Sequence, residues 1–167
     1  ANTLDYDSMD ALKKASDKTT EILKDNNISY QSTEKNSGGP NKGRNIALKH
    51  STGDFICIAD HDDVWFPNKV ISLLKYSEKA PIITSGYTLE DINTGRKEDR
   101  VKESSDGHLM FEKDETFLTK LTKSREGQQT YLGSIMFSSN LKEILFEEEI
   151  GMIDFDWVLK LFYNRKS

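Results

Sequence analysis

Hydrophobic and polar positions along the chain change period repeatedly, from runs that suit buried strands to spacings that suit amphipathic helices. The clearest run, residues 54–59, is almost continuously apolar, as in strands covered on both faces. Strand patterning recurs at residues 28–33, 82–89 and 131–137. Because strands and helices mostly alternate, the pattern predicts an α/β fold with a largely parallel sheet flanked by helices.

Helical spacing occupies most of the segments between these strands. Pro67 is typical of a first helical position, and the four apolar residues that follow it between 70 and 74 are expected to share one buried face. Residues 91–95 have turn chemistry, and 96–107 are so polar that we expect a mobile loop. Further helices are predicted at residues 4–14, 19–24, 44–50, 114–123, 139–146 and 155–163.

Composition and charge narrow the class of protein. Of the 167 residues, 35% are hydrophobic and 31% charged, which suits one soluble domain spanning residues 1–167. The net charge of −5 does not favour nucleic acid as a partner. No apolar segment has the length of a transmembrane helix, and we expect a cytoplasmic protein that is peripheral if it meets a membrane. The single cysteine, Cys57, excludes an intrachain disulfide and is predicted to be a small buried core residue.

Two polar motifs flank the apolar run at 54–59. GGPNKGRN (38–45) comes before it, and DHDDVW (60–65) follows it directly. Carboxylates at the end of a buried strand are costly unless a positive group lies beside them, and a divalent cation is the simplest candidate. Glycines let backbone approach a ligand closely, and the basic residues of the first motif can bind phosphate. The rival interpretation of the second motif is a solvated turn that caps the helix near Pro67.

The spacing and content of these motifs resemble the central signature of the family-two glycosyltransferases. The resemblance is specific over residues 30–75, with weaker echoes at 16–23, 133–137 and 153–161. It implies a GT-A fold, which has a Rossmann-like sheet. It also implies that the protein uses a nucleotide-diphosphate sugar as donor and Mn²⁺ or Mg²⁺ as cofactor. The acceptor would be a hydroxyl of a glycan, a lipid-linked molecule or a protein, as in cell-surface polysaccharide biosynthesis, and transfer is expected to invert the sugar.

The resemblance also implies roles for individual residues. Asp154, at the start of an apolar helix, is the candidate general base, with Asp156 as the fallback; a plain helix N-cap is the alternative for Asp154. Asp62 is the candidate metal ligand. Beside it, His61 is more simply a surface histidine than a second ligand. The candidate donor-binding residues are Asp17, Gly38, Gly39, Lys42, Arg44 and Asp60.

One departure from the family pattern concerns the beginning of the chain. The family usually opens with an apolar strand and a second strand ending in two acids, and residues 1–15 read as a helix instead. We therefore expect two central strands to be absent, which would leave the strand at 54–59 with an unpaired edge. Two other functions stay open: a non-catalytic relative that binds a sugar nucleotide or a protein, and a metal-dependent nucleotidyltransferase.

Overall fold

A computed structural model describes residues 18–32, 37–60, 63–100, 131–149 and 154–164. The chain divides into two compact units, Ala1–Lys35 and Asn36–Ser167. In the first unit, residues 18–25 are helical (α1), as predicted, and Asn27 ends the helix with φ 53°. The strand expected at 28–33 is wrong for residues 28–32, which carry no regular structure. The backbone N–H of Ile28 donates instead to the Leu23 carbonyl (2.8 Å) and closes the helix end.

The described part of the second unit contains helices, strands and two 3₁₀ turns. The strand expected at 54–59 is shorter than predicted, and the helix expected at 44–50 begins earlier, inside the first motif. The elements in chain order are α2 (Asn41–His50), β1 (Phe55–Cys57), α3 (Lys69–Leu74), β2 (Ile82–Thr84), β3 (Tyr87–Glu90), β4 (Lys97–Arg100), a 3₁₀ turn (Leu132–Ser134), β5 (Ile135–Ser138), a second 3₁₀ turn (Ser139–Leu141) and α4 (Asp154–Asn164).

Strand β5 lies at the centre of a three-stranded sheet with the order β1-β5-β2. It is antiparallel to both neighbours, with Phe137 opposite Ile56 on one side and Ile82 on the other. Strands β1 and β2 therefore point in the same direction, as a strand–helix–strand connection through α3 requires, but the late strand β5 separates them. The parallel pairs expected from the sequence do not occur among the described strands. Within the same residues, β1 is an edge strand.

The two faces of this sheet are packed very differently. On the first, which we call the α4 face, Ile135 and Phe137 join a core that includes Trp157 and Leu161 of α4. On the second, the α3 face, Met136 contacts a small cluster in which Leu73 and Ile83 are the other buried residues. Adjacent residues of β5 alternate between the faces because side chains alternate along a strand. Most of the buried apolar area of the described residues therefore lies on the α4 face.

Helix α3 departs from the prediction in length and in burial. It starts at Lys69 rather than Pro67 and has six residues, fewer than two turns. Of its four apolar residues, Leu73 is buried (4% exposed), whereas Ile71 is 64% exposed and Val70 and Leu74 are at least 40% exposed. A helix of fewer than two turns is too short to direct four side chains into one small cluster. Leu73 alone of the four is buried there and anchors the helix. Cys57 was expected to be buried; it packs beside this cluster but is only half-buried.

The segment predicted as one strand at 82–89 is two strands. After β2 the chain leaves the sheet, and β3 pairs with β4 in an antiparallel hairpin. The predicted turn closes it, with Gly95 at φ 69° and its N–H donating to the Asp91 carbonyl (2.7 Å). The mobile loop expected from residue 96 is therefore wrong for Lys97–Arg100, where charged side chains occupy an exposed hairpin.

The segment before α4 is also less regular than predicted. In place of a helix at 139–146, only Ser139–Leu141 forms a 3₁₀ turn. Backbone groups beyond this turn form hydrogen bonds with side chains from elsewhere in the chain. Trp157 Nε1 donates to the Ile144 carbonyl (2.7 Å), and the Asn45 side-chain oxygen accepts the Phe146 N–H (2.8 Å). Helix α4 itself confirms the prediction. The helices expected at 4–14 and 114–123 lie outside the described residues. Among the residues that the structure describes, no helix is long and apolar enough to cross a membrane.

Candidate functional site

The first motif forms a glycine turn and the start of α2. Gly38 adopts φ 76°, a left-handed conformation that glycine accepts without strain, and Ser37 Oγ donates to the Gly39 carbonyl (2.7 Å). A Cβ on Gly38 or Gly39 would meet nothing within 4 Å, so conformation rather than crowding by the described protein favours glycine at 38. Lys42 is exposed on the first turn of α2, which contains no acid.

Arg44 of α2 holds together two of the acids singled out from the sequence. One guanidinium nitrogen donates to Asp60 Oδ1 (2.9 Å) and Oδ2 (3.1 Å), and the other donates to Asp154 Oδ1 (2.5 Å). The Arg44 side chain is 13% exposed, against 29% for Asp60 and 40% for Asp154. We call these three residues the acid site. One positive charge faces two carboxylates there, so the group carries a net charge of −1 and is open to solvent on its acidic side.

Three different elements bring these side chains together. Asp60 follows β1, Arg44 lies in α2, and Asp154 is the first residue of α4. The Phe146 ring lies 5.4 Å from the guanidinium carbon and lines one side of Arg44. A carboxylate in the first turn of a helix is also favoured by the helix dipole, which suits Asp154. The sequence motif and the acid before the last helix thus meet in space.

Sequence reasoning missed two residues of the first motif that build this site. Asn45 is buried; its amide donates to the Phe146 carbonyl (3.0 Å) and its oxygen accepts the Phe146 N–H (2.8 Å). Asn41, also buried, donates to the Glu147 carbonyl (2.7 Å). Both asparagines tie α2 to the segment that leads toward Asp154. Their spacing of four residues, which places them on one side of a helix, was the available signal.

Other candidates are placed differently or lie outside the described residues. Asp17, His61 and Asp62 are among the latter. Gly38 and Gly39 lie just before α2, and Lys42 lies in its first turn. Asp156 pairs with Lys160 one turn along α4 (2.7 Å), so the fallback base is engaged elsewhere.

The described residues alone do not form a metal site, and the candidate ligand Asp62 lies outside them. Arg44 contacts both oxygens of Asp60, and the carboxylate of Asp63 accepts a hydrogen bond from the Tyr131 hydroxyl. In the described ranges no group of three histidine, cysteine, aspartate or glutamate side chains is placed to hold a cation. Divalent cations of this class need more oxygen ligands than one free carboxylate supplies.

A second polar group lies where the chain passes from β1 to α3. Lys69 Nζ donates to the Gly133 carbonyl and lies 3.8 Å from the centre of the Trp65 ring. Burial lowers the pKa of Lys69, while Cys57 and Asp63 act in the opposite direction. Burial likewise raises the pKa of the Cys57 thiol above its ordinary value, and the charge of Lys69 partly offsets this rise.

Comparison with known proteins identifies the family. The model of the family described as "Glycosyl transferase family 2" matches residues 7–145, which is most of the chain. The chain belongs to glycosyl transferase family 2. An uncharacterized glycosyltransferase of Rickettsia bellii is 37% identical over 82 residues, 43% of this chain and 12% of the relative.

Two further similarities concern one Staphylococcus aureus protein. Poly(ribitol-phosphate) beta-N-acetylglucosaminyltransferase TarS of strain Mu50 is 49% identical over 37 residues, which is 22% of this chain and 6% of that protein. A crystal structure of S. aureus TarS residues 1–349 superimposes with a TM-score of 0.60 at 18% identity, covering 87% of this chain and 41% of that one. The similarity shows the fold, which is that of a GT-A glycosyltransferase, as predicted. The chain thus spans less than half of the relatives it matches.

Proposed function

We propose that this family member transfers a sugar from a nucleotide-diphosphate donor to a hydroxyl acceptor, with Asp154 as the general base. The observation that carries the proposal is the bridge from Arg44 to Asp60 and Asp154. It places the acid that follows the motif strand, the candidate donor contact, beside the candidate base. Family membership supports sugar transfer, and the geometry of these three residues supports a division of roles among them.

Arg44 is proposed to orient both carboxylates rather than to act as a free phosphate ligand. A guanidinium binds carboxylates with fixed geometry, and it holds Asp154 through Oδ1. Oδ2 of Asp154 accepts no hydrogen bond from the described residues. That oxygen is the atom proposed to take the proton of the acceptor hydroxyl as its oxygen attacks the anomeric carbon. The nucleotide diphosphate leaves from the opposite side, so a single displacement inverts the anomeric centre.

The donor diphosphate is proposed to lie near the glycine turn and the start of α2. The first turn of α2 contains no acid, and the positive end of the helix dipole together with exposed Lys42 favours an anion. Asp60 would contact the nucleoside ribose. Metal dependence, with Asp62 as the ligand of Mn²⁺ or Mg²⁺, stays a prediction, and no step of the mechanism above depends on it.

The test is Asp154→Asn, which keeps the shape of the side chain and removes its basicity. A general base contributes on the order of a hundred- to ten-thousand-fold to a rate, so transfer should fall by that factor while donor affinity stays close to wild type. Transfer is measured with a panel of nucleotide sugars that includes UDP-N-acetylglucosamine, because the S. aureus relative is named as an N-acetylglucosaminyltransferase. Product stereochemistry by NMR tests inversion.

Asp156→Asn is the matched control, since Asp156 lies in the same helical turn but pairs with Lys160. Its rate should stay near wild type. Equal rates for wild type and Asp154→Asn would remove Asp154 as the base. If the wild-type protein binds no nucleotide sugar and transfers no sugar, the enzyme hypothesis is wrong and the hypothesis of a non-catalytic relative replaces it. Repeating the donor-binding and transfer measurements in EDTA decides whether the activity requires a metal ion.

A further inference from the structure

The 3₁₀ turn before β5 is one of the most firmly held segments among the described residues. Leu132 and Ser134 are each 1% exposed. Ser134 Oγ donates to the Tyr131 carbonyl (2.6 Å) and accepts the Tyr131 N–H (3.1 Å), and the Ser134 carbonyl accepts the Ser85 N–H (3.1 Å). This turn is therefore a fixed support next to the sheet.

Two side chains from the connection between β1 and α3 bind this support. The Tyr131 hydroxyl donates to the Asp63 carboxylate, and the Lys69 ammonium donates to the Gly133 carbonyl. Trp65, between them in sequence, has the Lys69 ammonium 3.8 Å from its ring centre. Charge-assisted hydrogen bonds of this kind are stronger than neutral ones, and the two bonds hold residues 63–69 at their first and last residues.

Gly133 has no room for a side chain at this contact. A Cβ built there would lie 2.7 Å from Tyr131 Cζ and still closer to the Tyr131 hydroxyl and an Asp63 carboxylate oxygen. Its backbone is not in the left-handed region, so space is the reason for glycine. The close approach of Asp63 and Tyr131 over Gly133 is thus a specific fit of three residues.

The contact reaches the acid site through a short path. The Asp63 N–H donates to the Asp60 carbonyl (3.2 Å), so the backbone of one acid is bonded to that of the other. Asp60 is held on its other side by Arg44. The side chain of Asp60 consequently has its position set from two directions, by α2 and by the turn before β5.

We propose that Asp63, Lys69, Tyr131 and Gly133 form a clamp that positions the acid-bearing connection for donor binding, with Lys69 and Tyr131 as positioning residues. This inference rests on the proposed function. In it, Asp63 is engaged by Tyr131 and acts on the donor through Asp60. Loss of either clamp bond frees the connection and weakens nucleotide binding without touching the ligand.

The experiment uses Lys69→Met and Tyr131→Phe, which remove one hydrogen bond each and keep most of the side-chain volume. Hydrogen–deuterium exchange is measured at residues 63–69, with residues 135–138 of β5 as the internal reference. Calorimetry measures binding of UDP, GDP, CDP and dTDP in manganese chloride. Each variant should speed exchange at 63–69 and raise the Kd of the bound nucleotide on the order of tenfold, while β5 stays protected.

Lys75→Met, at an exposed lysine just after α3, is the matched control and should change neither quantity. Lys69→Arg keeps a cationic donor and should restore most of the nucleotide affinity. A residue that serves stability alone would raise exchange in β5 as well and leave affinity unchanged once the protein is folded. That pattern, or unchanged exchange at 63–69, overturns the clamp.

The two proposals fail in distinguishable ways. A wild type that binds none of the four nucleotides overturns the proposed function and the positioning role together. Wild-type binding with the same Kd in Lys69→Met and Tyr131→Phe overturns the positioning role alone. Gly133→Ala, which disturbs the fit without removing a hydrogen-bonding group, should behave like the other two variants, and wild-type exchange and affinity in it would also contradict the clamp.

Discussion

The α4 face and the α3 face of the central sheet differ in how they hold their polar groups. On the α4 face, a large apolar core supports α2 and α4, and the acid site is formed between elements that this core fixes. On the α3 face, the small cluster around Leu73 leaves much of α3 exposed, and hydrogen bonds to the turn before β5 position the chain instead. Apolar burial is non-directional, whereas hydrogen bonds specify geometry. The two faces thus position residues near the acid site by different means.

The largest effect should come from cavities in the two faces. Leu161→Ala on α4 removes a fully buried side chain and should lower the free energy of unfolding by about 4 kcal/mol, whereas Leu73→Ala should cost about 2 to 3 kcal/mol because the small cluster can relax. Ile71→Ala, at a 64% exposed position, should stay within about 0.5 kcal/mol. Urea unfolding checks all three. Equal losses for Leu161→Ala and Leu73→Ala would mean that the faces are equally well packed.

An intermediate effect is expected at Asn45, the polar link on the α4 face. Asn45→Ala leaves the buried Phe146 N–H and carbonyl without this partner and should destabilise the protein by about 2 kcal/mol. Because these bonds hold the segment that leads toward Asp154, the rate of sugar transfer should also fall. Asn140→Ala, at an exposed asparagine, is the control. Full stability in Asn45→Ala would show that the hydrogen bonds of Asn45 contribute nothing to holding α2 against residues 146–148.

The smallest effect concerns the thiol on the α3 face. Burial raises the pKa of the Cys57 thiol above its ordinary value, and the charge of Lys69 opposes that rise. Lys69→Met should therefore move the pH midpoint of Cys57 alkylation by iodoacetamide upward, and Lys75→Met should not. A raised thiol pKa stabilises the folded state below the unfolded pKa, and this contribution is lost as pH rises through the folded value. A downward shift in Lys69→Met would show that Lys69 is not the cation acting on Cys57.

The sequence predicted which candidate site residues come together better than it predicted the strand pairing. The two motifs contain Arg44 and Asp60, and the family resemblance pointed to Asp154; the structure brings the three together although Arg44 and Asp154 are 110 residues apart. The long periodic helix α4 was predicted within one residue at each end. Periodicity reports burial but not the neighbour of a strand, so the insertion of β5 between β1 and β2 was not foreseen.

Several errors can be traced to specific hydrogen bonds between residues that are distant in sequence. The strand expected at 82–89 breaks where the Ser85 N–H donates to the Ser134 carbonyl, a long-range bond that no local pattern encodes. The helix expected at 139–146 is replaced because Asn45 and Trp157 take its backbone groups. The clamp was missed for the same reason: Tyr131 carries no motif, and its role depends on an acid 68 residues earlier in the chain.

The central position of β5 has a consequence for how the protein is made. Strands β1 and β2 are synthesised long before residues 135–138, yet within the described sheet each finds its hydrogen-bonding partner only in β5. During translation both strands therefore emerge with open edges, the state in which chains associate wrongly. Such non-local pairing is also slow to form. We expect that premature termination before residue 135 yields an aggregating product, because β1 and β2 then lack β5 as their partner.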